Sequence, residues 1–526
     1  MIRLQHLRAL PERVAGLPLA VREVLMALLG ALSALAFAPL SLLPLMGVAF
    51  AGLLWALDGA ATRLQALRLG WWFGFGQFAL GLIWIAEAFR FQDALPHSAG
   101  YLAVMLLAAF LALFTAGSAL LAHVLAPPAG AWRVIALATA WTLGEWLRGH
   151  LFTGFPWNLV GSAWLAVLPV AQAAGLVGVY GLSFLMVFAS GALAQALGRQ
   201  QRPSVLALFA ACLLVLLFVG GELRLNRPQS PTGPSLVVVQ ANIGQGQKWR
   251  DETGRRNLNL HLDMTFKAPG RDAPRLVIWP ETAIPNLIEE EATTRYLIAR
   301  HLGDDGLVLS GGVKVERDEN GYAVSARNSL FAVDPHAQIV ASYDKAHLVP
   351  FGEYLPFRDV LSAIGLSRLA AGDLDFTAGP GPRTIKLPGF PSVGPLICYE
   401  IIFPGAVVDR NHRPEWLLNI SNDAWFGTFF GPHQHLAQAR LRAIEEGLPV
   451  VRSTPTGIST IIDARGQVLK KTGLEQKVIL SGNLPPALTP TPYARNGDLP
   501  IVSLLILCSL SCIICAKRVG KRNVRE

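Results

Sequence analysis

Charge and cysteine are both scarce in this chain. Asp, Glu, Lys and Arg make up 15% of its 526 residues, against roughly 25% in an ordinary soluble domain. With 52% of the residues hydrophobic, that shortage excludes a disordered chain and a wholly soluble one. Only five cysteines occur, at 212, 398, 508, 512 and 515, and four of them lie in long apolar runs. A disulfide scaffold is excluded as well. What the chain has instead is long charge-free tracts. Residues 149–198 contain no Asp, Glu, Lys or Arg, and neither do residues 499–516.

A membrane span needs about 20 mainly apolar residues. Windows that reach or approach this length predict eight transmembrane helices, at about 20–37, 39–57, 69–88, 100–125, 131–147, 168–197, 204–221 and 499–516. The first two are short, and the fifth holds Arg133 and Glu145. Basic residues cluster between the runs: Arg3, Arg8, Arg13 and Arg22; Arg63 and Arg68; Arg199 and Arg202; then Lys517, Arg518, Lys521, Arg522 and Arg525. With eight spans all four clusters fall on one side, which the positive-inside rule makes cytoplasmic together with both termini. The net charge of +9 then reflects topology, and no nucleic-acid partner is expected. The expected division is 1–222 for spans one to seven, 223–498 for a domain on the periplasmic side, and 499–526 for the last span and a basic cytoplasmic tail.

The exported stretch has a different texture. After a proline-rich linker at 226–235, short β-rich runs read as strands at 235–240, 275–279, 306–310, 337–343, 393–398, 416–420, 448–453 and 459–463. Apolar residues recur at helical spacing near 293–302, 357–364 and 433–446. Interleaving of this kind predicts one α/β domain built from layered sheets.

Cys398, in P-L-I-C-Y-E-I-I-F-P, is the only cysteine of that domain. A lone buried cysteine is commonly a small apolar residue. Here strand, tight turn and helix are expected around it, and a thiol near a helix N-terminus favours the reactive thiolate. No histidine is an obvious partner among His347, His433 and His435. H-Q-H at 433–435 completes no ligand pattern, so no metal is expected. Carboxylates are better placed. Glu281 follows the apolar strand R-L-V-I-W, where a charge has no packing purpose, and Lys345 follows another strand with Glu353 in the next loop. Three complementary groups, each at a strand end, suggest one shared site.

W-P-E, then D-K-A-H-L-V-P-F-G-E-Y-L-P, then I-C-Y-E resemble the Glu-Lys-Cys motifs of the nitrilase superfamily. Together with spans on both sides, the chain resembles the bacterial apolipoprotein N-acyltransferases. The resemblance implies a polytopic helical membrane domain and a periplasmic αββα sandwich in the inner membrane. It implies acyl transfer from a membrane phospholipid to the α-amino group of a diacylglyceryl-cysteine at an apolipoprotein N-terminus, without a cofactor. Matched position by position, Cys398 is the nucleophile that forms a thioester, Glu281 the general base, and Lys345 the charge facing the oxyanion. Glu353 would hold Lys345 or the amine, and Tyr399 and Glu400 would support the nucleophile. Trp249 is implied at a position linked to activity. Trp425 and Phe426, in the aromatic run 425–430, are candidates for lipid contact. Two rivals stand beside this reading: a membrane-tethered nitrilase-type amidase acting on a small amide, and a transporter with a binding-only domain.

Overall fold

The computed structural model describes residues 9–91, 96–128, 130–198, 204–228, 233–247, 251–363 and 375–523. The chain divides into two compact units. One comprises Met1–Ile83, Tyr101–Arg227 and Pro490–Glu526, the other Trp84–Gly100 and Pro228–Thr489.

The first unit is helical: α1 (Leu19–Ala34), α2 (Leu43–Asp58), α3 (Arg63–Gly81), α4 (Ala99–Leu125), α5 (Ala131–His150), α6 (Ala174–Gly198), α7 (Val205–Leu225) and a C-terminal helix, Leu499–Asn523. Among the described residues four helices are long and apolar enough to cross a bilayer, Ala99–Leu125, Ala174–Leu197, Val205–Leu225 and Leu499–Ala516. They become five if Arg63–Gly81 and Ile83–Phe91 form one bent span. The expected eight are therefore not confirmed, for a physical reason. Helices α1 and α2 have 16 residues each, a rise of about 24 Å against a hydrocarbon core of roughly 30 Å. Helix α5 carries buried charges that hydrogen-bond to nearby main-chain groups. Arg133 donates to the Ala122 carbonyl at 2.9 Å, Arg148 to those of Phe155 and Trp157, and Glu145 accepts from the Val160 N–H at 2.9 Å. Glycine sets two close approaches. A methyl group on Gly30 would strike the Phe73 carbonyl, so α1 and α3 touch there. Gly178, at φ 68°, breaks α6 where the Tyr493 ring fills the space of a side chain.

The second unit is a sandwich of two six-stranded sheets, ordered β12-β1-β2-β3-β4-β5 and β11-β10-β9-β8-β7-β6. The strands are β1 (Ser235–Gln240), β2 (Arg275–Ile278), β3 (Gly306–Arg317), β4 (Ala323–Val333), β5 (Ile339–Asp344), β6 (Ile385–Leu387), β7 (Phe390–Ile397), β8 (Trp416–Ile420), β9 (Val450–Ser453), β10 (Thr460–Ile462), β11 (Val468–Lys471) and β12 (Val478–Asn483). Parallel pairs β1–β2–β3 and β7–β8–β9 form the sheet centres, and antiparallel strands form the edges. Period-two alternation divides the side chains. Leu236 and Val238 of β1 enter the core between the sheets with Leu418, Ile420 and Cys398. Val237 and Val239 turn outward onto α8 (Asp251–Lys267) and α9 (Ala292–Leu302), packing on Leu258, Leu262 and Ile298. Helices α10 (Arg358–Ala363) and α11 (Phe430–Glu446) complete the unit. Strands β4, β6, β11 and β12 and helix α8 were not among the sequence expectations.

Candidate active site

Strands β2, β5, β7 and β8 deliver the site residues from their carboxyl ends, where open α/β sheets place ligands. Trp279-Pro280-Glu281 follows β2, Lys345 follows β5, Cys398 follows β7, and Ser421-Asn422-Asp423 follows β8. All of these residues are buried, with Lys345 only 1% exposed. Lys345 Nζ lies 2.9 Å from Glu353 Oε1 and 3.9 Å from Glu281 Oε1. Asn328 Nδ2 donates to both carboxylates, at 2.6 Å to Glu281 and 3.0 Å to Glu353. The Asn422 N–H donates to Glu281 Oε2 at 2.6 Å, and the Val349 N–H to Glu353 Oε2 at 2.8 Å. Burial alone would depress Lys345, but Glu353 and Glu281 outweigh it and hold the ammonium above its ordinary value.

Cys398 corrects one expectation. It opens a five-residue 3-10 turn, Cys398–Ile402, too short for a helix dipole to matter. Burial, and next the Glu281 carboxylate, push its thiol up to about 12 despite the opposing charge of Lys345. At rest Cys398 is therefore a neutral thiol, and a base would have to remove its proton before it could act as a nucleophile.

Glu400 pins the turn from beneath. Its Oε2 accepts from the Ile397 N–H at 2.7 Å, while Oε1 accepts from the Tyr343 hydroxyl at 2.8 Å and from the Ala346 and His347 N–H groups at 2.7 and 3.2 Å. One carboxylate thus ties the Cys398 turn to the backbone that follows Lys345. Burial raises Glu400 against these donors. Tyr399 packs its ring on His347 and Phe403, at 5.6 and 5.0 Å between centroids. Trp425 and Phe426 are half-buried and stack in T-shaped pairs with Phe91 and Trp84, at 5.6 and 4.6 Å. Trp249 lies outside the described residues. Among those residues, no group of three His, Cys, Asp or Glu could hold a metal ion.

Residues 29–192 match the family model described as the apolipoprotein N-acyltransferase N-terminal domain, and residues 236–493 match that of the carbon-nitrogen hydrolases. A Bradyrhizobium diazoefficiens protein named apolipoprotein N-acyltransferase is 41% identical over 511 residues, covering 94% of each chain. A Caulobacter vibrioides protein of the same name is 40% identical over 509 residues, again covering 94% of each. This chain belongs to the apolipoprotein N-acyltransferase family. A solved structure from Saccharomyces cerevisiae, a nitrilase-superfamily member, matches 49% of this chain and 93% of its own at 19% identity and TM-score 0.36.

As a member of the apolipoprotein N-acyltransferase family the chain is a membrane protein, with apolar helices and a nitrilase-like domain of two sheets. Sequence reasoning did not single out Asn328, Asn422, Asn419, Asp423 and Arg452, and it set His435 aside as a partner of Cys398. A signal was there in W-L-L-N-I-S-N-D, where polar residues close an apolar strand as Glu281 closes β2. Asn328 lay in R-N-S, inside a strand that was not anticipated.

Proposed function

We propose that this chain moves an acyl chain from a membrane phospholipid to the α-amino group of the diacylglyceryl-cysteine at an apolipoprotein N-terminus. The observation that carries the reading is the buried convergence of Cys398, Lys345 and Glu281 from three strand ends, in a chain of this family. Glu281 takes the Cys398 proton, and the thiolate attacks the ester carbonyl carbon. The Lys345 ammonium, fixed by Glu353, faces the oxyanion, and such donors contribute about 3–4 kcal/mol each. Collapse expels the lysophospholipid oxygen, which takes the proton from Glu281 and leaves a thioester. In the second half the free amine attacks, Glu281 takes its proton, and the thiolate leaves and is reprotonated. Tyr399 and Glu400 hold the turn, and Trp249, Trp425 and Phe426 are assigned to lipid or substrate contact.

The boundaries 1–222, 223–498 and 499–526, eight spans, an inner-membrane location and a periplasmic sandwich belong to the same proposal. Its support is that the eight predicted apolar segments each coincide with a helix of at least 16 residues among the described residues.

Phospholipid alone should add one fatty-acyl mass to the peptide containing Cys398, and neutral hydroxylamine should remove it. A diacylated lipopeptide with a free α-amine should discharge it, and an N-acetylated one should not. An amidase acting on small amides would ignore phospholipid. Lysophospholipid release without any adduct would sink the covalent route.

A further inference from the structure

His435, on α11, is fully buried, and the acyl-transfer steps make no use of it. Its Nε2 lies 3.2 Å from the main-chain oxygen of Cys398, and its Nδ1 lies 3.0 Å from both Asp423 Oδ1 and Arg452 Nη2. One neutral tautomer fits the Cys398 and Arg452 partners, and leaves Asp423 Oδ1 to donors other than the ring. The proton sits on Nε2 and is donated to the Cys398 carbonyl, while Nδ1 accepts from Arg452. Burial and the Arg452 charge hold the imidazole below its ordinary value, which agrees with a neutral ring.

The same carbonyl meets Asn419 Nδ2 at 3.5 Å, and Arg452 Nη1 donates to Asn419 Oδ1. Arg452 Nη2 also donates to both oxygens of Asp423, at 2.7 and 2.6 Å, and Ser421 Oγ donates to Asp423 Oδ1 at 2.7 Å. Asp423 is held below the usual carboxylate range: burial opposes this, but the Arg452 guanidinium outweighs it. The ring of Phe426 covers His435 at 5.5 Å. Side chains from β8 and α11, Asn419 and His435, thus reach one atom, the Cys398 carbonyl oxygen, and Arg452 of β9 braces both of them.

That atom needs holding. Cys398 sits at φ 53°, a left-handed conformation that costs a side-chain-bearing residue free energy and persists only where its surroundings enforce it. A Cys-His-Asp triad is the rival reading of the same three residues. It fails on direction, because Nε2 is turned to a carbonyl, which offers no proton to abstract.

We propose that His435, backed by Asp423, Arg452 and Asn419, is a positioning residue that clamps the Cys398 carbonyl and so aims the thiol at the acyl ester. The clamp rests on the acyl-transfer reading, and the test keeps the two apart. His435→Gln retains an N–H donor at this place, and His435→Phe removes it. Asn419→Asp keeps the size and the Arg452 acceptor but turns an oxygen toward the clamped carbonyl. In reconstituted full-length protein with phosphatidylethanolamine, His435→Phe and Asn419→Asp should acylate Cys398 on the order of 100-fold more slowly, at unchanged KM. His435→Gln should stay within about ten-fold, with a pH–rate profile of wild-type shape. Iodoacetamide alkylation of Cys398, which needs no lipid, should follow the same order.

Equal rates in all variants would overturn the clamp. So would a His435→Gln protein as inactive as His435→Phe and missing one limb of the pH profile, since that marks a base. Should His435→Phe not accumulate, Asn419→Asp decides by the same two readouts. A wild-type protein that never acquires the acyl mass strikes the acyltransferase reading instead, and the alkylation series still judges the clamp.

Discussion

Replacing Lys345 by methionine separates its chemical from its structural contribution. The ammonium is 1% exposed, 2.9 Å from Glu353 and 3.9 Å from Glu281. Removing a charged oxyanion donor costs about 100- to 1,000-fold in rate, near 3–4 kcal/mol. A second loss adds to it, because Lys345 opposes the rise of the Cys398 thiol and without it the proton is harder to remove. Acylation should therefore fall by at least about 1,000-fold. Stability should fall too, since breaking a buried pair from one side costs about 3–5 kcal/mol. The lower end applies here, because Glu353 keeps the Asn328 and Val349 donors and Glu281 keeps those of Asn328 and Asn422. Adding Glu353→Gln removes the orphaned charge, so the double variant should regain about 1–2 kcal/mol and no activity. Rates of acyl-enzyme formation by mass spectrometry and thermal unfolding in detergent read the two effects independently. Activity that returned together with stability in the double variant would reduce Lys345 to a structural residue and refute the reasoning.

Because the Cys398 thiol is pushed up to about 12, its alkylation by iodoacetamide should still be rising near pH 10, where an ordinary thiol of about 8.5 has levelled off. Glu281→Gln deletes a charge that raises this thiol, so the profile should move to lower pH while acyl transfer is lost; an unmoved profile speaks against Glu281 as its neighbour in charge. Glu400→Gln puts an NH2 against backbone donors, and chemical denaturation should register a loss of about 1–3 kcal/mol; unchanged stability would free Glu400 from its pinning role. For topology, a cysteine at Asn320, exposed on the β3–β4 hairpin, should react with an impermeant maleimide from the periplasmic side, and one at Glu12 should not. The reverse pattern inverts the proposed orientation.

The sequence by itself determined the division into apolar helices and a β-rich domain, because charge-free tracts and period-two runs report burial without reference to partners. It also singled out Glu281, Lys345 and Cys398, since a charge or thiol ending an apolar strand has no packing purpose, and Glu353 in the loop after Lys345. Span number was harder to read. Helices α1 and α2 are apolar but 16 residues long, and hydropathy does not say whether lipid or protein covers them. The protonation state of Cys398 was decided only by tertiary structure. The sequence suggested a thiolate at a helix start, whereas burial against Glu281, 117 positions away, makes it a neutral thiol. The same holds for His435, which looked idle beside Cys398 in sequence and in the fold meets its carbonyl at 3.2 Å. Strand ends carry their own signature, but which of them meet is fixed by sheet order, and the electrostatics of a buried site depend on the neighbours that order brings together.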